Sequence, residues 1–75
     1  MYAYNLFRSK GADALYCAVP EECSVPSFLT DRRWEFRGRI DGGRSGPMGF
    51  DRKAAAFGVR FNGFHLFPDF QREQL

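Results

Sequence analysis

Seventy-five residues with 11 basic and 9 acidic side chains describe one small domain of net charge +2. Such a length predicts a single domain, and the charge falls well short of the strongly basic balance of most nucleic-acid-binding domains. Two cysteines are too few for a disulfide scaffold, and no apolar run approaches the roughly 20 residues of a membrane span.

Tyr2 to Arg8 alternates, with Tyr2, Tyr4 and Leu6 on one side and Ala3, Asn5 and Phe7 on the other. Aromatic enrichment and period two predict a strand that is apolar on both sides. Ser9 to Asp13 is polar with one Gly and predicts a turn. Ala14 to Val19 is a second strand, with Leu15, Cys17 and Val19 on one face, and the short connection predicts an antiparallel hairpin. Pro20 ends that strand because it has no N–H for a ladder. Glu21 to Ser24 is loop, and Pro26 to Asp31 predicts one short helical turn tucking in Phe28 and Leu29.

Arg33 to Ile40 alternates strictly. Trp34, Phe36, Gly38 and Ile40 fall on one face, and Arg33, Glu35, Arg37 and Arg39 on the other. Strand geometry turns that pattern into a half-buried strand with an apolar and an ionic side. Trp34, Phe36 and Ile40 are therefore expected inside, Arg37 and Arg39 outside. Asp41 to Gly49 holds four Gly and one Pro and predicts an irregular loop.

Asp51 suits an N-cap, and Arg52 to Phe57 has strong helix propensity. Two continuations compete. Either the helix runs to about Phe61 and stops at Asn62-Gly63, or Gly58 stops it and Asn62-Gly63 turns a hairpin. The longer helix is favoured, because Ala54, Phe57 and Phe61 share a face suited to the core. Phe64 to Phe67 is the last strand and Pro68 closes it. The prediction is a single α+β domain over residues 1–68 with a frayed tail over 69–75. Its antiparallel or mixed sheet has about four strands in the order β-β-β-α-β, with the helix packed on one face.

No catalytic motif stands out. The one His, His65, has no sequence reason to meet Cys17 or Cys23, so the thiols are expected to be reduced and dispensable. Their spacing matches no common metal motif, and neither a metal nor a cofactor is predicted. The glycine loop lacks the Gly-Lys-Ser/Thr sequence of a phosphate loop. The strongest lead is charge. Residues 32–60 carry eight basic against three acidic side chains, a net of +5.

Arg33, Arg37, Arg39, Arg44 and Arg52 are the candidate site for an anionic partner, the competing reading being a solvated, self-compensating strand face. The sequence thus predicts a small non-catalytic interaction module binding an anionic partner protein or a copy of itself. The alternative is a domain for single-stranded nucleic acid, gripped through phosphates and ring stacking. A distant third is a small Cys/His-dependent enzyme. Thirteen aromatic residues are many for so small a core and favour a homodimer. With no signal-peptide stretch and no span, a cytoplasmic location without membrane contact is expected.

Overall fold

The computed structural model describes residues 3–12, 14–41, 46, 47 and 49–69. In chain order the elements are β1 (Tyr4–Ser9), β2 (Leu15–Pro20), a 3-10 turn (Ser27–Thr30), β3 (Trp34–Ile40), α1 (Arg52–Asn62) and β4 (His65–Pro68). The strands form one antiparallel sheet in the order β3-β1-β2-β4. This is the small α+β domain that the pattern of elements predicts. Among the described residues, no helix is long and apolar enough to cross a membrane.

Both sheet faces carry apolar side chains, because β1 and β2 are apolar at odd and even positions alike. On the inner face Tyr4, Leu6, Tyr16, Ala18, Ile40 and Phe67 pack with Ala55 of α1, joined by Phe50 and Val59. Tyr16 stacks on Phe67 at 5.3 Å, and Tyr4 meets Phe50 edge-on at 5.5 Å. On the outer face Cys17 and Val19 pack under Leu29 of the 3-10 turn, with Phe7, Cys23, Trp34 and Phe64 around them. The sheet is thus the middle layer of three, which spreads the aromatic residues over two thin cores.

The longer helix is the one that forms. The Asp51 carboxylate accepts from the N–H of Lys53 at 2.8 Å and of Ala54 at 3.4 Å. Gly63 closes the other end at φ 83°, donating its N–H to the Val59 carbonyl at 2.8 Å. The predicted core stripe of α1, however, is reversed. Ala55 and Val59 face the sheet, while Phe57 and Phe61 are 63% and 75% exposed. The sheet's inner face already supplies the bulk in Tyr4, Tyr16 and Phe67, so close packing requires small residues opposite. Gly58 shows how close the approach is. A Cβ there would sit 2.9 Å from His65 Nδ1 and 3.0 Å from the Phe64 carbonyl oxygen.

The strict alternation of β3 is also broken. Leu6 pairs with Gly38, but Phe7 pairs with Phe36, so Arg37 is an extra residue without a partner on β1. Gly38 takes φ +113°, which a side chain would resist. This is a β-bulge, and it reverses the faces across it. Ile40, opposite Tyr4, stays inside. Phe36, opposite Phe7, lies on the outer face and is 59% exposed. Trp34 is half-buried on that outer face. Arg37 and Arg39 are exposed as expected.

Asp69, assigned to the tail, is buried and donates its N–H to the Ala14 carbonyl at 2.7 Å. Its carboxylate accepts from Arg8 Nε at 3.1 Å, tying the end of β4 to β1. The rest of the predicted tail, 70–75, lies outside the described residues.

Candidate functional site

The outer face presents one side chain from each strand in a single cross-sheet row: Phe36, Phe7, Cys17 and Leu66. Its centre is sealed, since Leu29 and Cys17 are buried. Its ends are open. Phe36 lies against Phe7 at 5.7 Å and 68°, leaving most of its ring in solvent, and Leu66 is exposed at the far side. Phe28 makes edge contacts with Trp34 at 5.8 Å and Phe64 at 5.1 Å and is itself exposed. The face is shallow, with no pocket found among the described residues.

The predicted arginines border this face, but they do not form one row. Arg33 stands beside Asp31, with guanidinium and carboxylate 3.3 Å apart. The Arg33 backbone N–H and then its side chain hold the Asp31 carboxyl below the usual carboxylate range. Arg37, carried on the bulge, lies 3.5 Å from Glu35. Arg39, paired with Asn5 in the sheet, makes a two-pronged contact with Glu21, one arm at 2.9 Å. The hydrogen bond and charge of Glu21 raise the Arg39 pKa further.

Arg52 belongs to the other layer. It donates to the Asp41 carbonyl at 2.6 Å and lies over the Phe50 ring at 5.8 Å. Asp41 also comes within 3.8 Å of Arg39 through its carboxylate, so among the described residues it links Arg39 with Arg52. Arg44 lies outside the described residues. The resulting border is mixed in sign, with Arg33, Arg37 and Arg39 each beside a carboxylate.

The Cys/His pairing is not assembled on one side of the sheet. Cys17 packs in the outer cluster, whereas His65 pairs with Ala18 and stacks on Phe67 of the inner one at 5.6 Å. Burial pushes the Cys17 thiol up to about 12, against a weaker opposing hydrogen bond from the His65 backbone. A thiol in that state is a packing group, since the nucleophile is the thiolate. Both cysteines are free, and no cluster of three metal-ligating side chains occurs among the described residues.

Strict alternation hid the outer row. The signal that could have revealed it is Gly38, since a glycine inside a strand marks a bulge. Comparison with protein-family models, curated proteins and solved structures gives no match.

Proposed function

We propose that the protein is a small, non-catalytic interaction module whose outer sheet face docks another protein surface, in the first instance a second copy of itself. The observation that carries this is Phe36, turned out by the bulge and 59% exposed beside Phe7. A ring in that position, at the β3 end of the row, fits an interface anchor, since aromatic residues and arginines carry much of the binding energy at protein contacts. The rim is Arg33, Arg37 and Arg39, each with its carboxylate neighbour.

The sign of the rim separates the partner classes. Asp31 and Glu21, beside Arg33 and Arg39, weaken the pull of this face on a polyanion. A surface with both signs suits exchange of ion pairs across a two-fold axis, as in isologous dimers. A protein partner is therefore favoured over single-stranded nucleic acid, for which the exposed rings alone speak. Two free thiols persist in a reducing compartment, which supports the cytoplasm as the place of action.

Light scattering over a hundredfold concentration range tests this, together with affinity capture from the source cell with and without nuclease. The expected result is a dimer mass that Phe36→Ser reduces to monomer, unaffected by nuclease. A monomer throughout, with no nuclease-resistant protein held by the wild type and lost by Phe36→Ser, contradicts it. A partner released by nuclease would establish the nucleic-acid reading instead.

A further inference from the structure

The surface on the far side of the molecule is built differently. With Ala55 and Val59 turned to the sheet, helical geometry sends Phe57 and Phe61 directly outward. They stand at i and i+4, neighbours on one ridge. The same geometry puts Lys53 and Arg60 along one flank of that ridge and Ala54 along the other, beyond which Gly58 is covered by Phe64 and His65. The charged side chains of α1 are Arg52, Lys53 and Arg60, all cationic. Asp51, just before α1, is occupied in capping the helix's own N–H groups.

We propose that this outward face of α1 is a second docking surface, and that its occupant is an amphipathic helix of another protein with an apolar ridge and carboxylates along one flank. Charge complementarity selects that occupant. Two copies of α1 packed through this face would bring cations against cations, so a second copy of this chain is disfavoured here, in contrast to the mixed-sign outer sheet face. Phe57 and Phe61, one turn apart and both exposed, match the i, i+4 spacing at which the apolar ridge of a partner helix presents its own side chains. A bilayer would meet only two rings and two flanking cations, a small buried area for an interfacial anchor.

A displayed library of amphipathic helices with randomised flanking positions tests the proposal with the full chain as bait. The expected outcome is enrichment of helices flanked by Asp and Glu, with binding that weakens as salt rises. The double change Phe57→Ser and Phe61→Ser should weaken those helices about tenfold or more, as loss of two aromatic anchors implies. Circular dichroism of that variant should remain that of the wild type.

The pair Lys53→Glu and Arg60→Glu keeps the ridge and should invert the selection to basic flanks. That second variant decides the matter if the first does not fold. Neither change should alter dimerisation through the outer sheet face. The proposal is overturned if the enriched helices bind the double-Ser variant equally, or if charge reversal leaves the flank preference unchanged. It is likewise overturned if vesicles containing phosphatidylserine bind through Phe57 and Phe61 while no displayed helix does.

Discussion

Gly38 is the residue on which the outer face depends. A Cβ added there meets nothing within 4 Å, so the cost of alanine is backbone strain at φ +113°. Gly38→Ala is expected to destabilise by about 1–3 kcal/mol in denaturant unfolding. A stabilised variant would show that the bulge is not held by that glycine. His65 gives a second test. Burial lowers its pKa below the ordinary 6.5, opposed in part by the charge of Asp51. The unfolded chain therefore binds the proton more tightly than the native one. Stability should be full above about pH 6.5 and fall as the pH drops from there toward the native value. Unfolding free energies of wild type and His65→Gln measured from pH 7.5 down to 5 should diverge in slope over that window. Parallel slopes would contradict it. Gly38 was legible as a letter but not as a conformation. Strict alternation of its neighbours is equally compatible with a regular strand, and only pairing against β1 separates Leu6–Gly38 from Phe7–Phe36.

At the scale of elements, existence was legible because it is local, and so was the start of α1, while Asn62-Gly63 suited a helix stop and a hairpin turn alike. The cap at Asp51 and the stop at Gly63 follow from side-chain acceptors and a left-handed φ that neighbouring residues determine. The buried side of α1 was not legible. Ala54, Phe57 and Phe61 make as coherent a stripe as Ala55 and Val59, and the choice rests on how much bulk the sheet already supplies. Gly58→Ala examines that choice. Alanine gains roughly 1 kcal/mol of helix propensity over glycine. The added Cβ, however, would press on the Phe64 carbonyl, which is backbone and yields little. Overpacking of this kind costs about 1–3 kcal/mol, so a net loss in thermal unfolding is expected. Phe57→Ser and Phe61→Ser, by contrast, should each change stability by no more than about 0.5 kcal/mol. Equal and large losses from these exposed rings would mean that α1 packs by its other side.

For the whole molecule, the strand-rich pattern with one helix led to the four-stranded sheet and its single covering helix. The candidate site was legible only in part. Arg33, Arg37 and Arg39 were correctly placed near one strand, but their carboxylate neighbours, Asp31 and Glu35 nearby in sequence and Glu21 from a distant loop, make the border mixed in sign. Charge counted over residues 32–60 cannot show this for Arg39, because Glu21 joins it only through the fold. What the outer face offers is then an exposed ring at its β3 end with a mixed-sign border, and everything proposed for it rests on where Phe36 points. Paramagnetic relaxation by a soluble gadolinium chelate reports that directly. In the free protein at concentrations where it is monomeric, the Phe36 ring protons should broaden strongly while the Ile40 methyl groups stay protected. Similar protection of Phe36 and Ile40 would mean a regular strand with both residues in one core, and the account of the outer face would fail.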